Sequence, residues 1–129
     1  MSDGDQRTGH VVAFIDLGTN SVRLLVVRLN PNFSYTIISQ EKEVVRLGEN
    51  AFVDHNLRRE AMDRAVHVCR RFAELSRTYG ADEIVAIATS AAREAANQDV
   101  LVERLKEEAG LEVGIISGIE EARLIYQGV

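Results

Sequence analysis

After a polar start, the chain carries two apolar runs, VVAFID at 11–16 and SVRLLVVRLN at 21–30, separated by the turn LGTN. Runs rich in β-branched residues and bounded by turn residues predict strands. Asn30-Pro31-Asn32 reads as a hairpin turn, and a third strand is expected through FSYTIISQEKEVVRL, with Tyr35, Ile37, Val44 and Leu47 facing inward. These three strands form a meander. Gly48 to Asp54 reads as a loop, with Asp54 or Asn56 placed to cap the helix that follows. Leu57, Ala61, Ala65, Val68, Phe72 and Leu75 recur at three- and four-residue spacing, which predicts a long amphipathic helix stopped by Gly80. Beyond it the pattern gives a strand in DEIVAIAT and a short helical turn from Ser90 to Ala95. A helix in DVLVERLKEEAG ends at Gly110, a strand follows in LEVGIIS, and GIEEARLIYQGV starts another helix. A meander followed by alternating helices and strands predicts an α/β fold, a mixed sheet with helices packed against it.

Composition narrows the setting. With 46% hydrophobic and 27% charged residues among 129, the chain is long enough for one compact domain with a real core. Residues 1–10 are expected to form a disordered polar leader and residues 11–129 the domain. No apolar stretch approaches the roughly 20 residues of a membrane span, and the first ten carry no apolar signal segment, so a cytoplasmic protein without a membrane partner is expected. The one cysteine, Cys69, permits no internal disulfide and is expected to be a buried hydrophobe. A net charge of −5 argues against a nucleic-acid partner, because the surface as a whole repels polyanions. Any phosphate ligand must therefore be held by local donors.

Three segments offer such donors. Asp16-Leu17-Gly18-Thr19-Asn20-Ser21 lies between two strands, where a carboxylate at a strand end can help hold hydrated Mg²⁺ and Gly18 allows a close backbone approach to a ligand. Thr19, Asn20 and Ser21 add hydroxyl, amide and N–H donors, although the same residues serve equally as an ordinary polar turn. Thr89-Ser90-Ala91-Ala92-Arg93-Glu94 follows a strand, and Arg93 could add a bidentate phosphate contact; a plain helix cap with a solvated arginine accounts for it as well. Ser117-Gly118-Ile119-Glu120-Glu121-Ala122-Arg123 again runs from strand to helix. Its glutamates serve as helix-dipole partners, or one of them faces the cleft as a general base. All three turns follow strands and would converge at one sheet edge, where open α/β sheets bind ligands. Arg23 reads as a solvent-facing strand arginine, and His10, His55 and His67 show no metal-ligand spacing.

VVAFIDLGTNSVRLLVV, AIATSAAREAAN and IISGIEEARLIYQGV, in this order and separation, closely resemble the amino-terminal half-domain of the Ppx/GppA phosphatases. The resemblance spans about Val11 to Val129. It implies a ribonuclease-H-like domain of the actin, hsp70 and sugar-kinase type. It also implies hydrolysis of terminal phosphate from inorganic polyphosphate, or of the 5′-phosphate of guanosine pentaphosphate, with Mg²⁺. By position it assigns Asp16 to the metal, Gly18, Thr19, Asn20 and Ser21 to phosphate, Arg93 to the active-site arginine and Glu121 to the catalytic base. Full-length relatives resemble homodimers. The family's second, glycine-rich phosphate loop has no counterpart here, so the span is expected to be truncated before it and to show little turnover alone. A kinase-type ATPase of the same superfamily, or a non-catalytic phosphate-binding module, are the rival readings.

Overall fold

The computed structural model describes residues 9–89 and 91–115. Its strands are β1 (His10–Leu17), β2 (Ser21–Leu29), β3 (Tyr35–Val44), β4 (Glu83–Ala88) and β5 (Val113–Ile115). They form one sheet in the order β3-β2-β1-β4-β5. β1 to β3 are antiparallel neighbours, whereas β4 runs parallel to β1 and β5 parallel to β4. The expected mixed sheet is therefore present. β1 begins at His10, the last residue of the expected leader, which pairs with Leu29 and lies 2.9 Å from Glu83 through Nε2. Residues 1–8 lie outside the described residues.

Alternation along β1 and β2 decides which face holds the core. Ala13, Ile15 and Leu17 stand opposite Val26, Leu24 and Val22, and all six are buried on one face. Across that face lies α2 (Arg59–Thr78), whose buried stripe includes Ala61, Ala65, Val68, Cys69, Phe72 and Ala73. Leu57 and Phe72 are buried as the spacing predicts, but Leu57 precedes the helix. Cys69 is buried, and desolvation pushes its thiol up to about 12, so it packs as a hydrophobe and not as a nucleophile. The one buried hydroxyl on this helix, Ser76 Oγ, donates to the Phe72 carbonyl at 2.8 Å. Gly80, at φ 80, ends the chain's path out of the helix.

β3 departs from its expected facing. Tyr35, Ile37 and Val44 are exposed and Leu47 is buried as expected, while Ile38 packs against the core and Val45 is buried. The cause is a bulge: Val26 pairs with Ser39 and Val27 with Ile37, so Ile38 is an extra residue that breaks simple alternation. The loop expected from Gly48 to Asp54 contains a single helical turn, α1 (Ala51–Asp54). Neither Asp54 nor Asn56 caps α2, whose first flanking residue is Arg58 with no side-chain cap. Asp54 Oδ2 instead accepts from Arg58 at 3.1 Å, and this contact lowers its pKa.

After β4 come α3 (Ala91–Glu94) and α4 (Gln98–Arg104), the latter continued by a wider π-helical turn over Leu105–Ala109 and stopped by Gly110 at φ 69. Leu101, Leu105 and Ala109 are buried, and Arg104 pairs with Asp63 of α2 at 2.7 Å, so this helix lies beside α2 on the same face of the sheet. Phe72 sits at the centre of that layer, fully buried. Phe72→Ala is expected to lower unfolding free energy by about 3–5 kcal/mol, measured by urea denaturation.

Candidate functional site

Because β1, β3, β4 and β5 all run towards the same edge, their carboxyl ends gather there with the start of β2. Asp16 is the penultimate residue of β1. It is half-buried on the face away from α2, opposite Arg23 of β2 and Ile87 of β4. The turn that follows is closed by Gly18 N–H donating to the Ser21 carbonyl at 2.9 Å. Thr19 and Asn20 are exposed at its tip. Thr89, buried, donates its N–H to the Leu17 carbonyl at 3.2 Å, which fixes the end of β4 against the end of β1.

The segment after β3, expected to continue the strand as far as Leu47 and to become a loop at Gly48, completes this edge; the strand ends at Val44. The Asn20 carbonyl accepts from Val45 N–H at 2.8 Å and from Arg46 N–H at 2.9 Å, and the Thr19 carbonyl accepts from Gly48 N–H at 3.0 Å. Approach at Gly48 is so close that an added Cβ would lie 2.7 Å from Thr19 Cγ2 and 3.4 Å from Ala91 Cβ. Three chain segments thus meet here: the Gly18–Ser21 turn, the loop after β3 and the start of α3. Arg64 of α2 holds the middle one, donating from Nε to the Val45 carbonyl at 2.8 Å and from Nη2 to Arg46 and Glu49. Gly48 was the one signal available, as a glycine just past an expected strand.

The structure therefore brings Asp16, Gly18, Thr19, Asn20, Ser21 and Thr89 to one edge, as the sequence predicts. Arg93 lies on α3 at that edge, its Nε 3.3 Å from Glu94 Oε2 in an exposed pair, while Gln98 Nε2 donates to its carbonyl at 3.1 Å. Ser90 and the whole 117–123 segment, including Glu120, Glu121 and Arg123, lie outside the described residues. Among the described residues no group of three His, Cys, Asp or Glu side chains could hold a metal ion. The donor set at this edge, one strand-end carboxylate beside hydroxyls, fits Mg²⁺ that keeps its waters and shares phosphate oxygens, and does not fit an all-protein cage.

This sheet order, with an antiparallel meander continued by parallel strands and helices between them, defines a ribonuclease-H-like domain of the actin class. Residues 25–129 match the Ppx/GppA phosphatase family, and the chain belongs to that family. It is 33% identical over 115 residues to exopolyphosphatase 1 of Mycobacterium leprae, covering 89% of this chain and 34% of the relative. It is 32% identical over 123 residues to a bifunctional 3-dehydroquinate synthase/phosphatase of Fusobacterium nucleatum, covering 91% of this chain and 18% of that protein. Among solved structures, the Aquifex aeolicus Ppx/GppA family member superposes with a TM-score of 0.87 at 29% identity, over 93% of this chain and 39% of its own. An exopolyphosphatase from Cytophaga hutchinsonii gives 0.85 at 33% identity, over 92% and 38%. The chain thus spans about a third of the Mycobacterium enzyme and less of the Fusobacterium one. A likeness to T. thermophilus RuvC, with a TM-score of 0.51 at 17% identity, extends to the fold alone.

Close packing at Gly48 makes a specific expectation. Gly48→Ala should cost about 1–3 kcal/mol by overpacking against Thr19, and the double variant Gly48→Ala/Thr19→Ser, which lacks the opposing methyl, should recover most of it in the same denaturation assay.

Proposed function

We propose that this chain is the phosphate-binding half-domain of an exopolyphosphatase that removes terminal phosphate from inorganic polyphosphate with Mg²⁺. The observation that carries the reading is the joining of the Gly18–Ser21 turn, the loop after β3 and the α3 turn at the carboxyl edge of the sheet, through the bonds to Thr19 and Asn20. Support for the substrate comes from the relatives named exopolyphosphatases in Mycobacterium leprae and Cytophaga hutchinsonii.

Hydrolysis of a phosphoanhydride requires an in-line water, a group that orients or deprotonates it, and positive charge or donors on the equatorial oxygens. In this reading Gly18, Thr19, Asn20 and Ser21 hold the terminal phosphate through backbone N–H, hydroxyl and amide groups, and Arg93 adds a charge-assisted contact to it. Asp16 would hold Mg²⁺, which supplies charge neutralisation on the phosphate oxygens. Glu121 takes the proton of the attacking water. Guanosine pentaphosphate presents the same terminal group and is the alternative substrate. A cytoplasmic location and a homodimer accompany the reading as further proposals.

Phosphate release from long-chain polyphosphate and from guanosine pentaphosphate, measured with Mg²⁺ on a chain extended to the length of its relatives, tests this. Glu121→Gln should lower turnover about 10²- to 10⁴-fold with affinity largely kept. Preference for guanosine pentaphosphate would replace the substrate, and absence of release from both by a folded protein would leave a binding module. The 129-residue span itself should release little phosphate, and ready hydrolysis by it would contradict the half-domain reading.

A further inference from the structure

The loop after β3 holds an outlier that the site as described does not use. Arg46 has φ 52, a left-handed conformation that only a few per cent of non-glycine residues adopt and that favours Asn, Asp and His among them. The other non-glycine residues in this region have structural reasons: Phe33 is in the β2–β3 hairpin turn, Asn50 is an asparagine, and His55 is the left-handed residue that ends α1. Arg46 is neither in a hairpin turn nor at a helix end. It is held from every side: its N–H donates to the Asn20 carbonyl at 2.9 Å, and its own carbonyl accepts from Glu49 N–H at 3.1 Å and from Arg64 Nη2 at 3.4 Å.

What the strained backbone presents is a cation. Arg46 is exposed and makes no ion pair or hydrogen bond through its side chain among the described residues. The other basic side chain at this loop is spent, since Arg64 is bound to the Val45 carbonyl and to Glu49. On the helical layer, Arg58, Arg70, Arg71 and Arg104 are likewise paired with acids. In a chain of net charge −5, an exposed guanidinium with no partner among the described residues, on a backbone one hydrogen bond from the tip of a donor-rich turn, is a local reversal of sign. Strain that the surroundings over-determine is a mark of functional segments.

We propose that Arg46 is an anion-binding residue of this edge, adding a charge-assisted contact to an oligophosphate seated at Gly18–Ser21. This rests on the phosphate reading of the edge, and it makes Arg64 a positioning residue that holds Arg46 in place. The guanidinium offers a planar donor fork suited to phosphate oxygens, which a lysine replaces only as a point charge.

Titration of the 129-residue chain with inorganic tripolyphosphate and Mg²⁺, followed by NMR amide shifts, is the test, with Thr19→Val as the control for the turn. Arg46→Gln should weaken binding about tenfold, and Arg46→Lys should recover part of the loss. Arg46→Gly, at ease at this φ, should keep the wild-type Tm within about 2 °C while binding as poorly as Arg46→Gln, which separates the ligand contact from the fold. Wild-type affinity in Arg46→Gln, with Thr19→Val impaired, overturns the role of Arg46 and leaves the phosphate edge standing. A lowered Tm in Arg46→Gly accompanying the loss of affinity would assign Arg46 to folding and also overturn the proposal. No binding by the wild-type chain overturns the phosphate reading, and the proposal with it.

Discussion

β1 is hydrogen-bonded along both edges, antiparallel to β2 and parallel to β4, and the position of every other feature at the site edge follows from that double pairing. An antiparallel neighbour returns the chain at once, so the turn between β1 and β2 is short and its groups stay where β1 ends. A parallel neighbour must be reached by a long connection, which here takes the chain through β2, β3 and then α2, packed on one face. The consequence is that β1 and β4 deliver their carboxyl ends side by side, with Thr89 bonded to Leu17. Asp16, one residue earlier, takes the opposite face from the core because successive strand side chains alternate.

The turn is then locked by carbonyl groups and not by its side chains. Asn20 and Thr19 give their carbonyls to three N–H groups of the loop after β3, so the hydroxyls and the amide of Thr19, Asn20 and Ser21 do not have to maintain the turn's shape. Under the proposed phosphate reading, this division of labour would let the turn bind a ligand without reorganising. It also explains why Gly48 tolerates so little: the loop is seated close enough to Thr19 that a methyl group has no room. Arg64 carries the same constraint into α2, and through α2 into the core around Phe72.

Much of this was legible in the sequence because the strongest signals were local. β1, β2, α2 and β4 announce themselves by runs and periodicity, and Asp16 to Ser21 by position between two of those runs. β3 was placed but faced wrongly, since the bulge at Ile38 depends on its register against Val26 and Val27 and leaves no mark in its own residues. α1 went unseen because four residues cannot show helical periodicity. Asp54 looked like a cap and became an ion-pair partner of Arg58, a choice made by that short helix. At the site, Arg46 and Gly48 were missed for a related reason: a backbone dihedral and a 2.7 Å approach are products of tertiary seating, and an Arg-Leu-Gly run read as a strand's end and a loop's first residue suggests neither.

The crossover has a kinetic side as well. The meander of β1 to β3 is built from near neighbours in the chain, so it can form early, whereas the β1–β4 ladder closes over β2, β3 and α2 and pays its loop-closure entropy before any pairing repays it. Within that edge, the Gly48–Thr19 bond joins segments of the meander itself, whereas the contact with Ala91 requires the chain beyond β4. During synthesis, a nascent chain that has emerged only as far as α2 holds a finished hairpin meander and no finished cradle.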